Sequence, residues 1–178
     1  MKKSELRIEK ATEKDVPLLL QFIKELAEYE KLSHAVVATE EMVRRSLFGE
    51  TPRAEAIIAY CAESPAGFAL FFHNFSTFLG RAGIYLEDLY VRPPMRGKGT
   101  GRALLACLAD LARERDCGRM EWAVLDWNEP AIRFYRKLGA VTLDDWKVCR
   151  LSGEALQRLA GEWDPGLPNA DSGMRNAE

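Results

Sequence analysis

The spacing of apolar residues changes several times along the chain, and each change marks an element. Leu6-Arg7-Ile8-Glu9-Lys10 alternates with the two-residue period of a strand. Then Val16, Leu19, Leu20, Ile23, Leu26 and Ala27 recur at helical spacing to about Tyr29, behind Thr12 and Asp15, an Asp version of the capping box. Thr39 opens a shorter helix through Met42, Val43 and Leu47, which Gly49 and Pro52 stop. Two apolar runs, 56–62 and 68–72, are joined by Glu63-Ser64-Pro65-Ala66-Gly67, which predicts an antiparallel hairpin. A loop through Gly80 and Gly83 leads to a third core strand over 84–91.

Residues 96–101 form a glycine-rich loop that opens a long helix, 103 to about 115, with Leu104, Leu105, Leu108 and Leu111 turned inward. Met120-Glu121-Trp122-Ala123-Val124-Leu125 reads as a strand, and Asn128-Glu129-Pro130 as the start of a helix ending at Gly139. A last strand is expected within 141–151 and a short helix over 153–160. The strand–loop–helix–strand unit at 84–125 calls for parallel pairing, whereas the 56–72 hairpin is antiparallel. The sum is an α/β protein with a mixed sheet and helices on both faces.

Composition narrows the function classes. The 178 residues make one domain the expectation, here 1–161, with a flexible C-terminal tail over 162–178 that is rich in Pro and Gly. Lys and Arg number 25 against 27 Asp and Glu, a net charge of −2 with no basic surplus for nucleic acid. No apolar run approaches the ~18 residues of a membrane span. The basic start turns to alternating charge rather than an apolar stretch, so the expected location is the cytoplasm. Cys61, Cys107, Cys117 and Cys149 form no C-x-x-C pair, and only His34 and His73 are present, so no metal site is expected. Asn74-Phe75-Ser76 matches a glycosylation sequon by chance in such a chain.

Arg96-Gly97-Lys98-Gly99-Thr100-Gly101 is the segment richest in chemistry. Alternating glycines between a strand and a helix let backbone N–H groups turn toward one point, where the helix N-terminus adds about half a positive charge. With Arg96 and Lys98 the loop suits a diphosphate, although the spacing is neither that of a Walker loop nor that of a dinucleotide fingerprint. A tight turn is the plain alternative. Tyr135 is likewise ambiguous, because Ala131, Phe134, Tyr135 and Leu138 form one helical stripe that could simply be core.

R-x-x-G-x-G/A after a strand ending Leu89-Tyr90-Val91 resembles the acyl-CoA signature of the GNAT superfamily of N-acetyltransferases. Residues 127–140, with Asn128, Ala131, Tyr135 and Gly139, resemble its second CoA-side motif, N-x-x-A-x-x-x-Y-x-x-x-G. Three further stretches are similar to the diamine acetyltransferase branch, which acts on spermidine, spermine and thialysine. They are Glu25-Leu26-Ala27-Glu28-Tyr29-Glu30-Lys31-Leu32, Tyr85-Leu86-Glu87-Asp88-Leu89-Tyr90-Val91 and Ala123-Val124-Leu125-Asp126-Trp127-Asn128, the last leaning to the thialysine side.

The resemblance implies a mostly antiparallel mixed sheet with a central, splayed parallel strand pair, and a β-bulge beside the thioester. It implies acetyl-CoA as co-substrate, held by Leu89, Tyr90, Val91, Arg96, Gly97, Lys98, Gly99, Thr100, Gly101, Asn128 and Tyr135. It implies a small primary amine as acceptor, contacted by Tyr29, Glu30, Glu87 and Asp144, with direct transfer in a ternary complex. Glu87 would help remove the ammonium proton and Tyr135 would protonate the departing thiolate. Strand alternation sets Glu87 and Asp88 on opposite sides unless the bulge intervenes, so which carboxylate faces the site stays open. A homodimer is also implied. Acetylation of protein lysine or N-terminal amines, and a non-catalytic CoA-binding module, remain the alternatives.

Overall fold

The computed structural model describes residues 6–163; the expected tail lies outside the described residues apart from its first two positions. The chain divides into two compact units, 1–127 and 128–178. The first contains β1 (Leu6–Lys10), α1 (Val16–Tyr29), α2 (Glu40–Phe48), β2 (Glu55–Cys61), β3 (Ser64–Ser76), β4 (Arg81–Val91), α3 (Thr100–Glu114) and β5 (Met120–Trp122). Its five-stranded sheet runs in the order β1-β2-β3-β4-β5. The first three pairings are antiparallel and β4–β5 is parallel. This is the mixed α/β sheet expected from the hydrophobic pattern.

Alternation along the strands builds two cores. Ala56, Ile58, Phe68 and Tyr90 meet Val16, Leu19, Leu20, Phe22, Val43 and Leu47 of α1 and α2. Phe22 stacks on Phe68 with ring centroids 5.3 Å apart. The residues between them along the strands, such as Ile57, Ala69 and Phe71, are buried on the opposite face, the side of α3 with its own buried Leu104, Leu105 and Leu108. Each fully buried Leu or Phe contributes roughly 1.5–3 kcal/mol, so the two apolar faces hold the layers together. At the entrance to α1, Asp15 accepts from the Thr12 backbone N–H at 2.8 Å and from its hydroxyl at 2.7 Å. That arrangement closes a short 3₁₀ turn, Glu13–Asp15, before the helix proper.

Some boundaries differ from the sequence expectation. β3 runs from Ser64 to Ser76 because its polar ends still find partners, Ser64 opposite Cys61 and Asn74 opposite Gly83. A Cβ on Gly83 would lie 2.4 Å from Asn74 Oδ1, so only glycine allows that approach. β5 stops at Trp122 rather than Leu125, where its pairing with β4 ends.

In the second unit α4 (Glu129–Lys137) begins where expected, with Asn128 Oδ1 accepting from the Ala131 N–H at 3.4 Å and Pro130 in the first turn. α5 (Gly153–Gly161) follows. The strand expected within 141–151 is not formed. Val141, Leu143 and Val148 are 81%, 57% and 84% exposed, and an alternating segment without an edge to pair with has no ladder to join.

Glu55 ties three elements together. Arg115, just past α3, donates to both its carboxylate oxygens, and Lys10 of β1 lies 3.2 Å away. The Arg115 hydrogen bonds, against a burial cost, bring the Glu55 carboxyl down to about 2. A depressed carboxyl stabilises above its unfolded value near 4.5 and loses that contribution as pH falls toward 2. Glu55→Gln should therefore cost up to about 3 kcal/mol at pH 7, and urea melts should show the gap to wild type closing between pH 4.5 and 2.

Candidate active site

The site is built on a strand that loses one of its two neighbours. β4 pairs with β3 as far as Val91 opposite Gly67, but with β5 only as far as Leu86 opposite Trp122. Beyond that point the β5 chain diverges, and Glu87, Asp88, Leu89, Tyr90 and Val91 keep an edge with no strand partner among the described residues. Backbone N–H and C=O groups on such an edge require another partner, and an extended ligand can supply one.

The same place carries a β-bulge. Leu70 faces Asp88 and Phe71 faces Leu86, which leaves Glu87 as the extra residue. Without it Leu86, Asp88 and Tyr90 would share a face. The inserted residue lets Ile84 and Leu86 join the α3 core while Asp88 and Tyr90 turn toward α1. Glu87 itself is exposed.

The glycine loop has the expected geometry. Gly97 has φ +73° and Gly99, which caps α3, has φ +90°. A Cβ at either position would meet no atom within 4 Å, so it is the left-handed backbone, and not crowding by the chain itself, that selects glycine. The space beside the loop is open, and the first-turn N–H groups of α3 have no intrahelical acceptors. Donors, helix dipole and open space fit a diphosphate. Thr100 is buried, with its hydroxyl 3.5 Å from the Met95 carbonyl, while Lys98 is exposed. Arg96 does more than supply charge: its Nε donates to the Val91 carbonyl at 2.8 Å, and its guanidinium lies 4.6 Å from the Tyr29 ring centre. A cofactor-loop cation thereby touches an expected amine-site residue.

Glu30, at the end of α1, stands near the two carboxylates of the bulge. Burial, then the charges of Glu87 and Glu30, push the Asp88 carboxyl up to about 6. Burial also raises Glu30. Among the described residues none of the three has an ion-pair partner, unlike Glu25, which Arg92 grips at 2.7 and 2.9 Å. Three carboxylates with no cation between them repel one another, and a cationic ligand would relieve that repulsion. Trp127, whose ring centre is 6.1 Å from that of Tyr29, adds an aromatic wall. Sequence reasoning did not single it out, although it stands in the quoted 123–128 stretch.

Asn128, Tyr135 and Asp144 belong to the second unit. Tyr135 is half-buried with its ring 5.4 Å from that of Phe134, and Asp144 is exposed on an irregular segment. The four cysteines are free. Among the described residues no group of three or more His, Cys, Asp or Glu is disposed to hold a metal, and no helix is long and apolar enough to cross a membrane.

A mixed sheet opened on one side of a bulged strand, with a glycine cradle beyond it, is the arrangement that the resemblance to the acetyltransferases implies. The model of the Acetyltransferase (GNAT) family matches residues 21–140, and the chain belongs to that family: it is an N-acetyltransferase. The chain is 40% identical over 166 residues to the thialysine N-epsilon-acetyltransferase of Bos taurus, covering 87% of this chain and 97% of that one. An L-ornithine N5-acetyltransferase of Arabidopsis thaliana is 34% identical over 198 residues, covering 86% and 87%. Among solved structures, an integron cassette protein from the mobile metagenome of V. cholerae superposes with a TM-score of 0.74 at 26% identity, covering 87% and 97%.

The electrostatics can be read directly. Carbon NMR of the Asp88 carboxyl should show a midpoint near 6, and Glu87→Gln should move it downward, because removing a like charge favours the anion. A midpoint that ignores Glu87 would separate the two carboxylates.

Proposed function

We propose that the protein transfers the acetyl group of acetyl-CoA to a small cationic primary amine, of the kind represented by thialysine, ornithine or a polyamine. The observation that carries this reading is the set of three unpaired carboxylates, Glu30, Glu87 and Asp88, at the bulge where β4 loses its partner. The names of the two relatives support an ω-amino acceptor. Leu89, Tyr90 and Val91 offer the open strand edge, and the loop from Arg96 through Gly97, Lys98, Gly99 and Thr100 to Gly101 offers diphosphate donors. Asn128 shapes the start of the helix that bears Tyr135.

Acetyl-CoA supplies an activated thioester. The acceptor arrives as an ammonium with a pKa near 10.4 and must lose a proton before its nitrogen can attack. Asp88, held near 6, is a better acceptor of that proton at neutral pH than an ordinary carboxyl, and Glu87 holds the ammonium beside it. The new C–N bond forms as the C–S bond breaks, and Tyr135 gives its hydroxyl proton to the departing thiolate. Tyr29, Glu30 and Asp144 complete the amine side. A homodimer belongs to the same proposal, supported by the exposed alternating apolar residues of 141–151. Light scattering should give twice the 20.1 kDa chain mass, and a stable monomer would remove it.

The reading is tested by thiol release from acetyl-CoA against thialysine, ornithine, polyamines and lysine peptides. Small amines should be turned over and peptides should not; the reverse would move the activity to proteins. Tyr135→Phe should lower turnover by about 10²–10⁴-fold with little change in amine KM. The value of kcat/KM should rise with pH through about 6, as Asp88 of the free enzyme gives up its proton, and Asp88→Asn should abolish that rising limb.

A further inference from the structure

Lys31 stands one residue beyond Glu30 and forms no ion pair among the described residues. Its backbone is left-handed, with φ +62°. The Leu32 N–H bonds to the Ala27 carbonyl at 2.7 Å and the Lys31 N–H to the Glu28 carbonyl at 3.1 Å, the wrapped end of a helix that normally takes glycine at this position. A lysine there takes a backbone conformation that L side chains rarely adopt. What the turn does is aim the ammonium. Nζ lies 5.8 Å from the Trp127 ring centre, and Trp127 packs on Tyr29, which also lies against the Arg96 guanidinium.

One short surface therefore carries acid and base in separate places. Glu30 and Glu87 gather around Asp88 at the bulge, and the Lys31 ammonium rests against Trp127, which packs on Tyr29. An acceptor with a second ammonium at its distal end would meet Lys31 as a like charge. One that carries a carboxylate there would find a partner already held in place by the indole face.

Resting on the amine-acetyltransferase reading above, we propose that Lys31 is a specificity-determining residue that pairs with the α-carboxylate of an ω-amino acid. The protein then acetylates the side-chain amine of lysine- or ornithine-like amino acids in preference to the corresponding diamines. The Tyr29–Trp127 pair is the positioning element that carries Lys31.

Matched acceptors that differ only in the carboxylate isolate this contact: lysine against cadaverine, ornithine against putrescine, and thialysine against its decarboxylated form. Wild type should show higher kcat/KM for the amino acid of each pair. Lys31→Met keeps the stem over Trp127 and should cut that preference by about tenfold, through amine KM, with the diamines unchanged or improved. Lys31→Arg should retain the preference, and Lys31→Glu should reverse it. Equal preference in wild type and Lys31→Met would overturn the role of Lys31 while leaving the functional reading intact. A wild-type protein that acetylates no member of any pair would overturn the functional reading and this inference with it.

Discussion

A β-strand inside a sheet must satisfy hydrogen-bonding groups on both edges, and β4 does so only up to Leu86. The parting of β5 from β4 after Trp122 is the constraint from which the rest of the site follows. It leaves the edge from Glu87 to Val91 open, and that edge leads through Arg92 and the short turn Pro93–Met95 into the glycine loop and α3. An open edge in a sheet core is otherwise a liability, so its persistence points to an extended partner. The bulge at Glu87 works in concert with the parting, because it rotates Asp88 to the face where Glu30 closes α1.

Rigidity around this opening comes from ties between α1 and the end of β4. Arg92 grips Glu25 with two hydrogen bonds, donates to the Pro65 carbonyl at 3.1 Å and lies over the Phe22 ring. Charge neutralisation there contrasts with the uncompensated carboxylates one helical turn further on. The same helix supplies Glu25 to hold the scaffold and leads into Glu30 of the proposed acceptor site, and the difference lies in whether an arginine pairs with the carboxylate. A cation brought by the acceptor would do for Glu30, Glu87 and Asp88 what Arg92 does for Glu25.

Much of this was legible in the sequence. The alternation of 6–10, the helical stripe of 16–27 and the glycines at 97 and 99 each have a local physical cause, and each appears where expected. Glu87 and Glu30 were reached through the quoted motifs. Of Glu87 and Asp88, between which strand alternation leaves the choice open, the structure raises the carboxyl of Asp88. It does so through packing, adjacent Glu87 and sequence-distant Glu30, and no local pattern encodes the first or the last. It also adds Trp127 and Lys31, whose significance arises only when a helix end and the segment after β5 come together. Residues 123–125 and 141–151 have strand-like composition and yet no strand, because a strand is a pairing and the sequence shows only one member of it.

The central claim is that the open edge and the carboxylate trio form one acceptor site next to the thioester. A bisubstrate analogue, CoA joined through its sulfur and an acetyl bridge to the side-chain amine of thialysine, addresses both halves at once by calorimetry. It should bind wild type at least a hundredfold more tightly than CoA alone. With Glu30, Glu87 and Asp88 all replaced by their amides, most of that advantage should vanish while CoA affinity stays within about twofold. An advantage that survives the triple replacement would place the amine elsewhere and contradict the account.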